Sequence, residues 1–292
     1  MSERRCIAGV FAIALMAVTP AIAADLPVLP ALPWLNGNEG PAPSFTPFET
    51  AKFTDWRGFY VGGLVSYSSV DADFSKATQG PIAFSLRQST LEDQFQPSTW
   101  QVLGSASHAA TGFGGFAGYN TEYLSPYGRV VLGFEANYEH AAVSLVAPNA
   151  PISRVVQLNA NTTDAVTLSG SGTLSNLDFA TIRGRAGWDF NGILPYVFAG
   201  LAVGRADLNI TATTTVVQTV QNPPSPPQTF VFTGTAGKDS EWLWGYAVGA
   251  GIDFALTNHV FLRGEYEYVQ FEPIASTVIS INTVRAGAAI KF

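Results

Sequence analysis

The sequence predicts an all-β protein: an eight-stranded antiparallel transmembrane β-barrel with long extracellular loops and short periplasmic turns. Three observations carry this. Residues 242–292 alternate apolar and polar side chains with a period of two, the period of a strand. One face of each strand is apolar with aromatics towards its ends, and the other mixes glycine with both signs of charge. Long and short connections alternate along the chain, as in barrels whose turns lie on one side of a membrane and whose loops lie on the other.

The chain has 292 residues and a formal charge of −7. Without clustered Lys and Arg it is not suited to nucleic acid. Its single cysteine, Cys6, lies in the leader, so the remaining chain forms no disulfide and no thiolate metal site. Residues 1–23 read as a secretory signal peptide. Arg4 and Arg5 give the positive end, residues 7–18 the apolar core, and Ala21-Ile22-Ala23 the small-x-small site, with cleavage after Ala23 or Ala24. Residues 24–55 form a periplasmic linker with prolines at 27, 30, 33, 41, 43 and 47, extended in the polyproline manner. Residues 56–292 make the barrel.

The first strand spans residues 58–70, with Phe59, Val61, Val65 and Tyr67 on its apolar face. A polar stretch, 71–110, reads as the first long loop, and the second strand is 111–120. The third, 127–139, puts Val130, Leu132, Phe134, Ala136 and Tyr138 on one side and Arg129, Glu135, Asn137 and Glu139 on the other. Residues 141–176, rich in Asn, Thr, Ser and Gly, read as a second long insert. The fourth strand, 177–190, sets Ile182, Ala186, Trp188 and Phe190 against Arg183, Arg185 and Asp189. The fifth is 196–208, with an ambiguous facing, and residues 209–240 read as a third insert with prolines at 223, 224, 226 and 227. The sixth, seventh and eighth strands fall within 242–292, separated by a short break at 255–258 and a moderate loop at 272–280. An even strand number puts both chain ends on the periplasmic side.

Alternation alone leaves open which face meets lipid, since a soluble barrel carries the same period inverted. Trp188, Phe190, Trp242, Trp244, Tyr266 and Tyr268 suit the aromatic girdles at lipid headgroups and decide for the membrane. The polar face then points inward. Arg129, Glu135, Arg183, Arg185, Asp189 and Asp253 are expected in the lumen, together with Arg263, Glu265, Glu267, Arg285 and Lys291. Buried charges persist only when paired, so they are expected to form a network that fills the barrel. For each charge taken singly, a solvated strand end is the alternative.

Several stretches resemble a known family. They are 56–63 (WRGFYVGG), 114–120 (GGFAGYN), 200–204 (GLAVG), 249–254 (GAGIDF), 265–268 (EYEY) and the closing 284–292 (VRAGAAIKF). In order and spacing they are similar to the small outer-membrane proteins of alphaproteobacteria. This porin family, or outer membrane immunogenic proteins, has an OmpA-like eight-stranded barrel. The resemblance implies an integral protein of the Gram-negative outer membrane, in contact with its lipid and lipopolysaccharide. It implies that Phe292, with Ile290 before it, is read by the barrel-assembly machinery. It also implies that a mature N-terminus of Ala24-Asp25 is a candidate for covalent attachment to peptidoglycan, against an unattached tail.

Signals for chemistry are sparse. His108 lies near Ser105 and Ser107 without an orienting acid, and His140 and His259 sit beside presumed loops. No metal-ligand spacing and no phosphate-binding loop is present, so neither catalysis nor a cofactor is expected. The expected role is structural and interactive: membrane integrity and loop display around a largely plugged lumen. A narrow porin for small solutes is the alternative, with a lipid-modifying barrel hydrolase behind it.

Overall fold

A computed structural model describes residues 55–126 and 128–292, apart from the side chains of Lys238 and Glu241. The predicted signal peptide and nearly all of the predicted linker, with Ala24 and Asp25, lie outside the described residues.

Among the described residues nine strands form: β1 (Gly58–Asp73), β2 (Ser105–Ser125), β3 (Gly128–Val146), β4 (Ile152–Asn159), β5 (Thr162–Asp189), β6 (Ile193–Val220), β7 (Gln228–Ala255), β8 (Val260–Phe271) and β9 (Val278–Lys291). Eight of them close a ring. β1 pairs antiparallel with β2 and β2 with β3, β3 passes over β4 to pair with β5, and the order continues through β9 back to β1. Closure leaves no edge in the ring, the condition for a sheet to cross lipid. The ninth strand, β4, lies outside the ring and pairs with β5.

The barrel has a turn end and a far end. At the turn end the chain reverses within a few residues, between β2 and β3, β5 and β6, and β7 and β8. Asn191 and Gly192, both at positive φ, make the tight reversal between β5 and β6.

The far end departs from the loops expected there. The stretch 141–176 is not a loop: β3 continues to Val146, β4 follows, and β5 has begun by Thr162. The stretch 209–240 is likewise strand over most of its length, because β6 runs to Val220 and β7 starts at Gln228. The stretch 71–110 holds two short helices, α1 (Gln79–Leu86) and α2 (Thr90–Phe95), and a single 3-10 turn, Pro97–Thr99.

The reason is an inversion of facing along the strands. Within the apolar belt β5 turns Arg183 and Arg185 inward and exposes Ile182. Beyond the belt the same strand buries Phe179, Leu177, Leu174, Leu168 and Val166, and turns Ser171 and its Ser and Thr neighbours outward. A strand leaving lipid for water keeps its period of two but exchanges the polarity of its faces. Stretches of Ser and Thr that look like loops are the water-facing side of a barrel wall with a dry interior.

Bulges mark the transition. Register shifts fall at 141/144 in β3–β5, at 175/178 in β5–β6 and at 206/208 in β6–β7. Asn176 and Ser240 stand at positive φ there, and Asp207 ties them together. Its carboxylate accepts from the Asn176 amide at 2.8 Å and from the Ser240 backbone N–H at 2.8 Å. These two donors, aided by nearby Arg205, hold the Asp207 carboxyl below the usual carboxylate range. Bulges increase local twist and bend a strand.

The far-end wall is one-sided. β8 ends at Phe271 and β9 starts at Val278, while β5, β6 and β7 run on. The inner face of this projecting sheet would be wet without a cover. Ile82 and Leu86 of α1, Leu91 of α2, and Trp100 pack on it against Val166, Leu168, Ala212 and Val216.

Amide hydrogen exchange of the folded protein in detergent checks this wall. Residues 163–175 and 209–219 are expected to exchange slowly, as paired strand does, and not as loop. The Ser240 amide is expected to be protected while Asp207 is ionised. That protection is lost as pH falls through the lowered Asp207 pKa, below the ordinary value of ~4.

Candidate functional site: the barrel lumen

The lumen is filled in layers. At the turn end Trp56, Tyr60, Leu64, Phe116, Leu194 and Phe261 form a buried apolar layer. Trp56 precedes β1 and folds back into the barrel, where its indole N–H donates to Asp189 at 3.1 Å and its ring meets Phe261 edge-on at 5.7 Å. Towards the far end lies a larger apolar layer that includes Phe74, Leu103, Leu177, Phe179, Leu243 and Phe271.

Buried carboxylates and guanidiniums fill the barrel at the level of Glu135 and Arg183. The strand period fixes who points there. Glu135 on β3, Arg183 and Arg185 on β5, Asp253 on β7, Arg263, Glu265 and Glu267 on β8, and Arg285 on β9 are all buried. Pairing register sets several of them side by side: Glu135 opposite Arg183, Asp253 opposite Arg263, and Glu265 opposite Arg285.

Glu135 is the hub. It accepts from Arg183 Nε at 3.0 Å, Arg263 Nη1 at 2.7 Å and Arg185 Nη1 at 3.3 Å. The Tyr60 hydroxyl donates to it at 2.6 Å and the Asn137 amide at 3.0 Å. Arg183 reaches Glu265 and Glu267, each at 2.6 Å. Arg263 grips Asp253 with Nε at 2.8 Å and Nη2 at 3.1 Å, a bidentate geometry, and Arg185 reaches the same carboxylate at 2.6 Å. Arg285 pairs with Glu267 and lies 3.6 Å from Glu139, which also accepts from the Ser66 hydroxyl at 2.6 Å.

Aromatic faces take up the rest of the guanidinium surface. Arg183 lies 3.8 Å over Phe198, Arg185 3.7 Å over Tyr196 and Arg263 4.2 Å over Phe116. Inward glycines make room for these rings. A Cβ at Gly118 would collide with the Tyr60 ring, and one at Gly251 would come within 2.6 Å of Tyr196 Cζ. The Tyr196 hydroxyl in turn donates to Glu265 at 2.7 Å.

The expected lumen residues are not all brought together. Arg129, Asp189 and Lys291 sit apart at the turn end. There Arg129 pairs with Asp189 at 2.8 Å, and the Lys291 ammonium donates to the Asp55 carbonyl. Glu139, Tyr60, Tyr196 and Trp56 were absent from the expected set. Glu139 shares the inward parity of Glu135. The tyrosines were hidden because their partners lie on strands far away in sequence.

The aromatics expected in girdles face outward, with Trp242, Trp244 and Phe190 each about 60% exposed. Trp188 and Tyr268 are half-buried and Tyr266 is exposed. Ile290 and Phe292 point outward, and the Phe292 N–H pairs with the Phe59 carbonyl at 2.8 Å. His140 is in strand β3, where its Nδ1 lies 2.6 Å from Asp178, which also accepts from the Tyr138 hydroxyl. His108, expected in a loop, is on β2 opposite Val70. Among the described residues no group of three or more His, Cys, Asp or Glu is placed to hold a metal ion.

A closed eight-stranded ring, apolar without and charge-paired within, is a transmembrane β-barrel filled by its own side chains. The chain belongs to the family described as outer membrane protein beta-barrel domain, which matches residues 44–292. A 22 kDa outer membrane protein of Rhizobium leguminosarum bv. viciae is 26% identical over 247 residues, covering 81% of this chain and 78% of that protein. A 25 kDa outer-membrane immunogenic protein of Brucella ovis is 25% identical over 112 residues, 38% of this chain and 42% of that protein. Among solved structures, Neisserial surface protein A aligns over 80% of this chain and 97% of its own, at 16% identity and a TM-score of 0.37.

Removing one member of a buried charge network strands the others. Arg183→Met is expected to destabilise the folded barrel by about 3–5 kcal/mol, because Glu135, Glu265 and Glu267 all lose a donor. Arg129→Met, whose side chain is 20% exposed, is expected to cost clearly less. Urea midpoints, read from the shift in gel mobility between folded and heated protein, check the order.

Proposed function

We propose that the protein is a structural and surface-interaction barrel of the outer membrane that conducts no solute. The observation that carries this reading is the filled lumen. Two apolar layers and the charged side chains around Glu135 and Arg183 occupy the barrel, and these charges are 5% exposed or less. A pore needs a continuous wet path, and charges spent on one another are not available to draw ions through.

In this reading the turn end and both chain ends face the periplasm, and the projecting far-end sheet stands outside the cell. The facing inversion supports it, since the far end is built to be wet on its outer surface. Outer-membrane lipid and lipopolysaccharide surround the belt, and the barrel-assembly machinery reads the segment ending in Phe292. The narrow-porin alternative would require the charged interior to open. The hydrolase alternative has no support in the placement of His108, whose strand partner is Val70. Attachment of Ala24 to peptidoglycan remains part of the proposal as one mode of wall contact. A muropeptide on Ala24 after digestion of cell-wall sacculi would establish it, and a free Ala24 amine throughout would end it.

Conductance in planar bilayers tests the central reading. Purified protein is expected to give no steady channel. A large, stable, single-step conductance from folded protein would overturn it in favour of the porin. Proteolysis of whole cells tests the orientation, with cleavage expected only at far-end connections such as the proline stretch 223–227.

A further inference from the structure

We infer that the free edge of β7 at the far end is a self-pairing surface that joins two copies of this chain from facing membranes. This extends the surface-display reading. Whole-cell proteolysis tests that reading and the experiment below tests this one, so each can fail alone.

Strand β7 is longer than its neighbour on one side. It pairs with β6 from Gln228 to Asp253, whereas its ladder with β8 begins only at Gly245. Beyond Trp244, whose carbonyl accepts from the Glu272 N–H, the other edge of β7 makes no backbone hydrogen bond to any described residue. About sixteen residues thus present an unpaired row of donors and acceptors, the condition that invites strand addition.

The same sheet blunts its opposite edge. β4 is 8 residues long, carries a register shift at 157/159, and bears Arg154, which folds over Trp100 at 4.4 Å. Short length, a bulge and a charge are the usual protections of an edge. The β7 edge has none of them over residues 228–236, and no charged residue or histidine occurs anywhere from 208 to 237. Its outer face is Thr229, Val231, Thr233 and Thr235, with Val231 61% exposed. The inner face is fixed by α1, whose Pro81 carbonyl occupies the space a Cβ at Gly234 would need.

The segment complements itself. An antiparallel pair centred on Phe232 sets Val231 against Thr233 twice, Thr229 against Thr235, and Phe230 against Gly234. β-branched residues across from one another are favourable cross-strand pairs. No like charges meet. The two-fold axis of an antiparallel pair is perpendicular to the sheet, so the second barrel points the opposite way. It therefore belongs to a facing membrane and not to the same one. Phe232 lies ten residues beyond Trp242. That is roughly 34 Å of strand at ~3.4 Å per residue, and roughly 25 Å of height at a ~40° tilt. One nine-residue ladder is a weak contact, and many such contacts between two surfaces add in avidity.

The test uses the full chain folded into liposomes, with clustering of two dye-labelled vesicle populations read by fluorescence cross-correlation. Wild-type vesicles are expected to cluster. Val231→Lys with Thr233→Lys, both on the exposed face, brings like charges opposite one another and is expected to cut clustering at least tenfold. Val231→Lys with Thr233→Glu places opposite charges across the same pair and is expected to restore it. Heat-dependent gel mobility confirms that each variant is folded. Dispersed wild-type vesicles, or a Lys/Glu variant that stays as dispersed as the Lys/Lys variant, would overturn the proposal. So would binding of a synthetic 228–236 peptide by protein whose vesicles never cluster, which would assign the edge to a different polypeptide.

Discussion

The pairing of Glu135 with three guanidiniums is the constraint on which the rest of the barrel depends. An eight-stranded ring has an interior just wide enough to be filled by side chains, so whatever points inward has to fit and has to be satisfied. Arg183, Arg185 and Arg263 converge on this carboxylate from β5 and β8. Since the members sit on β3, β5, β7, β8 and β9, the network sets ring register as well as charge balance. A slip of one residue in any of these ladders would turn its charges into lipid and its apolar residues into the lumen. The same interior explains the glycines: Gly118 and Gly251 are empty positions into which Tyr60 and Tyr196 lean to reach Glu135 and Glu265.

A second constraint acts along the barrel axis. The solvent outside changes from lipid to water, while the interior changes from charged to dry. Strand β5 records both changes in one run, from Arg185 buried in the belt to Leu168 buried beyond it. The bulges near Asn176 and Asp207 sit at this transition, where the wall stops being a closed ring and becomes a sheet with two edges. A sheet that leaves the membrane has to cover its inner face, and the helical segment between β1 and β2 does so. Its edges are then treated unequally, with Arg154 on one and no charge over residues 228–236 of the other.

Much of this was legible in the sequence. The period of two, the aromatic ends and the inward parity of Arg183 and Glu265 follow from local geometry, because a strand sends alternate side chains to opposite faces whatever its partners are. The belt-spanning strands were found for that reason. The far-end strands are hidden, because a Ser- and Thr-rich stretch with buried Leu and Val at alternate positions lacks the apolar outer face of a membrane strand and resembles a loop. Residues 162–176 and 209–220 keep the strand period with the polarity reversed.

The sequence by itself determined the class of protein, since which face carries aromatics and which carries charge is written in the alternation. It also determined the inward parity of belt charges such as Arg183 and Glu265, since parity along a strand is a local property. Only the tertiary structure decided who pairs with whom. Ring closure brings Glu135 to Arg263 across 128 residues and Tyr60 to Arg185 across 125, and no local pattern encodes such distances. It separated Arg129, Asp189 and Lys291 from the other charges for the same reason. It also decided that one edge of β7 stays open, because an edge exists only once the lengths of neighbouring strands are compared in space.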